Sequence, residues 1–175
     1  MTRSVQWLSE AHALKCELAE EVLLSSGRLR LKVTGWSMLP SIWPGDVLLI
    51  ERAEAEEISK GDVVLCRYDR RFVVHRIVKN FGPELNTPML TRGDAMPACD
   101  SPVYERDLLG KVSLILRDGV SVLPRRYLSP AESAVAVLVT RSTIAAQIVV
   151  RLHDFLAQGK FESQKFNHRA ASCQS

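Results

Sequence analysis

The amino-acid sequence predicts a mainly β protein (α+β), a compact antiparallel β domain with one helix at each end of the chain. Three observations support this fold class. Helix signals occur near the two ends of the chain, short runs between them alternate apolar and polar residues, and turn-forming residues separate those runs at close intervals. The 175 residues suffice for one domain with an apolar core.

The first helix is predicted over residues 5–24, within an N-terminal region of 1–27. Apolar residues recur there three or four positions apart and form one stripe of a helix, whereas most charged residues lie off the stripe. The stripe consists of Trp7, Leu8, Ala11, Leu14, Leu18 and Val22. Gly27 follows two serines and is expected to end the helix as its C-terminal cap.

Six strands are predicted in the β domain, which we place at residues 28–124. They are 28–34, 46–52, 62–68, 72–79, 110–116 and 120–124. Each run is short and rich in apolar residues, and the first alternates charged and apolar residues as a half-buried strand does. The turn sequences at 69–71 and 117–119 each separate two of these strands and predict two hairpins.

The C-terminal region, 125–175, is predicted to contain an apolar helix and a polar tail. Ser129, Pro130 and Glu132 form the pattern of a helix start with a capping box. The segment 133–156 is the most apolar in the chain and forms either a packed or interfacial helix or a membrane span. Arg141 favours the former, because an arginine at the bilayer centre costs about 2.5 to 3.5 kcal/mol.

Composition limits the partners and cofactors that we expect. The formal net charge is +3, basic residues are spread thinly and aromatic residues make up 6%, so no nucleic-acid partner is expected. The four cysteines form no Cys-x-x-Cys pair and have no histidine at metal-ligand spacing, so no metal and no cofactor are expected. The first 21 residues carry too many charges for a secretory signal peptide or a membrane anchor. We therefore expect the protein in the cytoplasm or at a membrane through the 133–156 helix.

Ser37 lies in the sequence GWSMLP (35–40) and is either a turn residue or a nucleophile. A serine is inert near neutral pH unless a base activates it. Of the four histidines, His75 lies in a predicted strand of the β domain. The other three, His12, His153 and His168, lie in the N-terminal and C-terminal regions. A histidine on an apolar strand face is more often a core residue than a base, so the residues alone leave both roles open.

Four segments resemble, in order, the signature boxes of the signal peptidase I superfamily. They are GWSMLPSIWPGDVLLIE (35–51), KGDVVLCRYDRRFVVHRIVK (60–79), TRGDAMPACD (91–100) and LLGKV (108–112). The resemblance spans roughly residues 30–115 and implies a β fold of the signal-peptidase and LexA-like type, with peptidase chemistry. It also suggests roles for Asp94 and Asp100, which on their own are typical turn residues.

Two catalytic chemistries occur in this superfamily. Bacterial leader peptidases and LexA-like repressors use a lysine as the base, whereas the archaeal and endoplasmic-reticulum type uses a histidine, as the sequence VVHRIV (73–78) suggests. The resemblance then implies that Ser37 is the nucleophile and His75 the general base. Asp94 and Asp100 match the two aspartates of the third box, with Asp100 favoured to orient His75 and Asp94 favoured to organise the loop.

Three neighbours of Ser37 complete the predicted site. Gly35 is expected to let the substrate approach the backbone closely, and Pro40 to stiffen the turn. Met38 either floors an apolar pocket or fills the core. A backbone N–H near Ser37 is expected to stabilise the oxyanion. Lys79 is disfavoured as the base, because it lies two strand positions, about 6 to 7 Å, beyond His75.

The sequence therefore predicts a serine endopeptidase that cleaves a leader or signal-like peptide, with a membrane surface as a second partner if the 133–156 helix attaches there. The third box reads Gly-Asp-Ala-Met instead of Gly-Asp-Asn-Asn, and the N-terminal anchor of the family is not expected here. A catalytically inactive relative that binds peptides stays open as an alternative. A self-cleaving regulator is disfavoured, because the 34 residues before Gly35 are too few for a helix-turn-helix domain.

Overall fold

The computed structural model describes residues 3–68, 71–80, 82 and 87–141. Three predicted features extend beyond these residues. They are the first part of the turn at 69–71, the apolar segment after residue 141, and the polar tail with His153 and His168. The division of the chain into 1–27, 28–124 and 125–175 stays a prediction.

Within the described residues, seven strands form one antiparallel sheet, and a helix lies before and after them in the chain. The helices are α1 (Arg3–Ser26) and α2 (Pro130–Arg141), and the strands are β1 (Arg28–Lys32), β2 (Val47–Glu51), β3 (Val63–Tyr68), β4 (Arg71–Asn80), β5 (Met89–Arg92), β6 (Leu108–Arg117) and β7 (Val120–Val122). The strands follow the order β1-β2-β6-β3-β4-β5, with β7 paired to β6. The predicted mainly β fold class is therefore confirmed.

All six predicted strands are present, and β5 is an additional strand that the sequence does not predict. Its sequence, MLTR, is too short to show an alternation that would distinguish a strand from a loop. At the turn between β6 and β7, Asp118 and Gly119 have positive φ angles of 50° and 79°, as a tight hairpin turn requires. Arg117 pairs with Val120 across this turn, which confirms the second predicted hairpin.

Consecutive side chains of β3 and β4 lie on opposite faces of the sheet. Val63 packs in one apolar cluster, whereas Val64 packs in a second cluster together with Ile77. Val64 is paired with His75, and Val63 is paired with Arg76. Because directly opposite residues of antiparallel strands share a face, His75 lies on the face of the second cluster and Arg76 on the face of the first.

The helix α1 begins two residues before the predicted range of 5–24 and ends two residues after it. Gly27 caps the helix with a φ of 71°, and its N–H donates a hydrogen bond to the Leu23 carbonyl. Where the structure describes the side chains of this helix, the predicted apolar stripe is not the buried face. Leu14, Leu18 and Val22 are all about half exposed, whereas Leu23 is only 2% exposed. The direct entry into β1 fixes the rotation of the helix, so that Leu23 meets the sheet. The side chains of Trp7, Leu8 and Ala11 lie outside the described part.

The predicted start of α2 is confirmed in detail. The Ser129 hydroxyl accepts the Glu132 N–H at 3.2 Å, and the Glu132 carboxylate accepts the Ser129 N–H at 2.7 Å, which completes a capping box. Ala136 and Val139 are the buried residues of this helix. Among the described helices, none combines the length and apolarity that a membrane crossing needs.

Two buried carboxylates tie the connecting loops to the sheet. Asp46 accepts hydrogen bonds from the Trp43 N–H and from Arg117 of β6, and Nη2 of Arg117 also donates to the Ser41 carbonyl at 2.9 Å. Asp62 forms ion pairs with two cationic side chains, Lys111 and Arg126. The loop that follows β1, and with it Ser37, is therefore held against β6 at a fixed position.

Candidate active site

Ser37 lies in a turn between β1 and β2 whose following residues are buried. Met38, Leu39 and Pro40 are all buried, and the peptide bond between Leu39 and Pro40 is cis. The Leu39 N–H donates to the Trp36 carbonyl at 3.1 Å. The Ser37 carbonyl itself accepts the Ala95 N–H at 2.9 Å. The nucleophile candidate is thus fixed both by its own turn and by the loop after β5.

His75 projects from the middle of β4 toward Ser37. Its Nε2 lies 3.0 Å from Ser37 Oγ, and its Nδ1 lies 2.6 Å from Asp100 Oδ2. The residue is 7% exposed. Because β4 is paired with β3 on one side and β5 on the other, the backbone that carries the imidazole has little freedom to move. Ser37, His75 and Asp100 therefore form one continuous chain of hydrogen bonds.

Asp100 lies in the segment that follows β5 and is held by Thr91 of that strand. Its N–H donates to the Thr91 carbonyl at 2.9 Å, and its Oδ2 accepts the Thr91 hydroxyl at 2.6 Å. Burial raises the pKa of Asp100, but the hydrogen bonds from His75 and Thr91 and the charge of His75 outweigh it and hold this pKa below its usual value. The carboxylate is therefore ionised at neutral pH.

Asp94 lies apart from this chain, with Arg76. The Arg76 guanidinium donates from Nε to Asp94 Oδ1 and from Nη2 to Oδ2, both at 2.7 Å. The Ser41 hydroxyl donates to Asp94 Oδ2 at 2.5 Å, and Nη1 of Arg76 donates to the Gly61 carbonyl. Arg76 and His75 point to opposite faces of β4. Asp94 therefore binds a side chain on one face of the strand, and Asp100 binds a side chain on the other.

The other predicted neighbours of Ser37 differ in their surroundings. Met38 is 3% exposed and packs in the first apolar cluster, so it fills the core. Gly35 is exposed, and a Cβ at this position would meet no atom within 4 Å. Pro40 is buried in the turn, and the Lys79 side chain is exposed beyond a register shift in β4.

Gly93, which the sequence analysis does not single out, lies against both Ser37 and His75. A Cβ at Gly93 would lie 2.6 Å from the Ser37 carbonyl oxygen, 2.7 Å from Met96 Cγ and 3.0 Å from His75 Nε2. Only glycine therefore allows the loop after β5 to approach the nucleophile this closely. Thr91 and Gly93 carry no local signal of these contacts, because the strand β5 is too short to show an alternation. Arg76 could have been found by strand parity, which places its side chain on the face of β4 opposite to His75.

The described residues contain no group of three histidine, cysteine or carboxylate side chains placed to hold a metal ion. Within the described part of the chain, Cys66 and Cys99 are thiols that form no disulfide. The site presents a buried, oriented imidazole next to a hydroxyl, an arrangement suited to nucleophilic attack on a carbonyl group.

Comparison with known proteins points to peptidases. Residues 8–86 match the family model described as Peptidase S24-like. The signal peptidase complex catalytic subunit SEC11 of Pyricularia oryzae is 33% identical over 78 residues, 43% of this chain and 45% of that protein. The same subunit of Chaetomium globosum is 33% identical over 88 residues, 47% of this chain and 51% of that protein. The chain thus spans about half the length of the curated relatives it matches, and the family-model match includes Ser37 and His75.

Proposed function

Because the chain belongs to the superfamily of signal peptidase I and the LexA-like peptidases, we propose that it is a serine endopeptidase of the histidine-base type. The observation that carries this proposal is the hydrogen-bond chain from Ser37 Oγ through His75 to Asp100. A peptide-binding module would need none of these three groups in contact. A serine peptidase of the histidine-base type uses all three in this order.

In the proposed mechanism, His75 Nε2 takes the proton of the Ser37 hydroxyl as the oxygen attacks a peptide carbonyl. Asp100 accepts the Nδ1–H, which fixes the tautomer that leaves Nε2 free to act as a base, and it stabilises the imidazolium that forms. The imidazolium then protonates the leaving amine. A water molecule, activated by the same nitrogen, releases the acyl group from Ser37.

The oxyanion of the tetrahedral intermediate needs backbone donors beside the nucleophile. Among the described residues, no carbonyl accepts the N–H of Ser37 or Met38. We propose that one of these groups binds the oxyanion, and one such donor contributes about 2.7 to 4 kcal/mol to the stabilisation of the transition state. The open space beside Gly35 leaves room for an extended substrate chain.

We assign to Asp94 the task of holding the loop after β5 rather than any contact with the reacting atoms. Through Arg76 and Ser41 it connects that loop to β4 and to the turn of the nucleophile. The two aspartates of the third signature box, Asp94 and Asp100, then have different roles. Asp100 orients the base, and Asp94 sets the position of the peptide that carries Gly93.

The proposed substrate is a leader or signal-like peptide. The relatives are named as catalytic subunits of a signal peptidase complex, which supports a peptide substrate for this chain. Trp36 and Met96 are exposed apolar side chains on the two loops that meet at Ser37, so they would contact apolar residues of the substrate. Attachment to a membrane surface through 133–156 stays a prediction.

The test is cleavage of a diverse peptide library by the full chain, with new termini identified by mass spectrometry. We expect termini that depend on Ser37 and His75, with Ser37→Ala and His75→Ala each reducing the cleavage rate by at least about 10³-fold. Ser121→Ala, at an exposed position of β7, serves as the matched control and should cleave like the wild type.

Two results would contradict the proposal. Peptides that bind equally well to wild type and Ser37→Ala, without new termini, would indicate an inactive peptide-binding relative. Binding of DNA at moderate salt, with cleavage of this chain in place of added peptides, would indicate a self-cleaving regulator.

A further inference from the structure

Thr91 of β5 is fully buried at 0% exposure, yet its hydroxyl lies at the centre of the polar site. The Thr91 hydroxyl donates to Oδ2 of Asp100 at 2.6 Å. This is the same oxygen atom that lies 2.6 Å from Nδ1 of His75. A buried hydroxyl and the imidazole therefore share one carboxylate oxygen.

The backbone of Thr91 holds Asp100 as well. The Thr91 carbonyl accepts the Asp100 N–H at 2.9 Å, so a single residue fixes both the main chain and the side chain of the carboxylate. Thr91 pairs with Ile77 of β4, and His75 lies two residues from Ile77 on the same face. The sheet therefore sets the distance between the hydroxyl and the imidazole.

We propose that Thr91 is a positioning residue of the catalytic site: its hydroxyl directs the Asp100 carboxylate toward His75 Nδ1 and shares the negative charge of that carboxylate. The inference rests on the proposed function, because it assigns a role within the same site. Thr91 itself touches no reacting atom and acts through Asp100.

The direction of the hydrogen bond follows from the surrounding hydroxyl groups. The single hydroxyl hydrogen of Tyr68 is donated to the Ser101 carbonyl at 2.7 Å, and the Tyr68 oxygen lies 3.3 Å from Thr91 Oγ1. The Thr91 hydrogen is therefore left for Asp100, the only ionised acceptor that it contacts among the described residues. A hydrogen bond to a charged acceptor is roughly twice as strong as one between neutral groups.

Other titratable groups near Asp100 do not confuse a measurement between pH 5 and 9. Burial raises the pKa of Cys66 and that of Tyr68 to about 12 in each case, so both stay neutral. Asp107 acts on both of these groups through its charge. Neither Cys66 nor Tyr68 therefore changes its charge in the range where the His75 ring is measured.

Four variants separate the hydroxyl from the packing of Thr91. Thr91→Val replaces the hydroxyl with a methyl group of similar size. Thr91→Ser and Thr91→Ala both lack the methyl group and differ only in the hydroxyl, which keeps the comparison valid if the valine does not fold. Thr140→Val is the matched control, because its hydroxyl donates to the Ala136 carbonyl within α2, away from Asp100.

The first readout does not depend on activity. The ring nitrogens of His75 are followed by NMR in the ¹⁵N-histidine-labelled full chain as the pH is changed, with the signals assigned by a His75→Gln variant. In Thr91→Val and Thr91→Ala the carboxylate charge acts more fully on the imidazolium, so we expect the His75 titration midpoint to rise by roughly 0.5 to 1 pH unit. Thr91→Ser and Thr140→Val should titrate like the wild type.

The second readout uses a peptide that the wild type cleaves. We expect kcat to fall about tenfold in the two variants without the hydroxyl, with KM unchanged and with the acid limb of the pH profile moved in the same direction as the NMR midpoint. A midpoint that stays or falls in Thr91→Ala, or a serine variant that behaves like the alanine variant, overturns the inference. If no peptide is cleaved while the midpoint rises, the proposed function fails and the role of Thr91 toward Asp100 stands.

Discussion

Asp94 and Asp100 are chemically identical side chains six residues apart, and their partners decide what each one does. Asp100 meets an imidazole and a hydroxyl, whereas Asp94 meets a guanidinium that spans both of its oxygens. The Asp94 side chain is 4% exposed and that of Arg76 is 12% exposed. Removing one charge from such a pair leaves the other buried and uncompensated.

Asparagine at these two positions should therefore have opposite effects. We expect Asp94→Asn to lower the free energy of unfolding by about 3 kcal/mol while kcat of the folded fraction is largely kept. We expect Asp100→Asn to lower kcat by on the order of 10³- to 10⁴-fold with little loss of stability, because the wrong imidazole tautomer is then favoured. Urea denaturation and peptide cleavage measure the two quantities. Equal losses of kcat in both variants would contradict this division of roles.

Gly93 gives a second prediction at the scale of single residues. In Gly93→Ala, the new methyl group overlaps the Ser37 carbonyl and the His75 ring, so the nucleophile and the base must move apart. We expect kcat to fall by about 10²-fold or more, since misplacement by about 1 Å has that effect. Gly35→Ala, where a Cβ has open space, should keep the melting temperature of the wild type. A fully active Gly93→Ala variant would show that the loop yields without effect on the site.

The residues of the site could be predicted in part. The resemblance of sequence boxes pointed to Ser37, His75 and two aspartates, and the structure brings Ser37, His75 and Asp100 together. Thr91 has no such signal, since a threonine in a short apolar run is ordinary in a strand. Its role depends on a hydrogen bond between β5 and the segment after it, which no local pattern encodes.

At the scale of elements, α1 shows that apolar periodicity predicts a helix but not which of its faces packs against the sheet. A spacing of three to four residues correctly predicted a helix, but Leu23, which meets the sheet, lies off the apolar stripe. Helical phase alone does not fix rotation, and the connection through Gly27 to β1 determines it. Glu20 adds a second contact, because both of its carboxylate oxygens accept hydrogen bonds from Nη1 of Arg67 in β3.

Neighbouring leucines of α1 test this orientation. We expect Leu23→Ala to lower the free energy of unfolding by about 2 to 5 kcal/mol, because it removes a buried side chain from the first apolar cluster. Leu24→Ala, at an exposed position of the same helix, should change it by less than about 0.5 kcal/mol. Urea denaturation of the two variants compares them directly, and equal effects would mean that the helix does not pack through Leu23.

Strand prediction failed only at β5, whereas the still shorter β7 was predicted because a hairpin turn signal precedes it. The six predicted strands have enough apolar residues and flanking turn signals to be visible, whereas β5 lies between turn-forming residues and has four residues. Tertiary pairing with β4 makes it a strand. The missed strand, β5, carries Thr91 and leads directly into Gly93. Because β5 was not predicted, the contacts of these two residues with the candidate site were not predicted either.

At the scale of the whole molecule, Cys66 reports on global unfolding. Its thiol is buried in the second apolar cluster, and burial, with the nearby charges of Asp100 and Asp107, raises its pKa to about 12. An unfolded thiol loses its proton near pH 8.5, whereas the folded one keeps it. Since the unfolded state then binds fewer protons, this thiol makes the protein less stable as the pH rises from about 8.5 toward 12.

Alkylation at pH 8 should therefore distinguish the thiols. We expect the exposed Cys99 to be alkylated quickly in the folded protein, and Cys66 to be alkylated only as urea unfolds the chain. Peptide mapping by mass spectrometry after timed quenching gives both rates. Rapid alkylation of Cys66 without denaturant would show that the second apolar cluster opens locally rather than with the whole molecule.

Because β5 follows Ser37 and His75 in the chain, it is synthesised after them on the ribosome. Translation delivers Ser37 and His75 to the growing polypeptide well before Thr91, Gly93 and Asp100, and the early strands can begin to assemble without them. A ribosome-bound chain of that length holds a serine and an imidazole but has no carboxylate to orient the ring. By the proposed mechanism, cleavage therefore becomes possible only after the third signature box has emerged, so the chain would not cleave peptides while its first part is being synthesised.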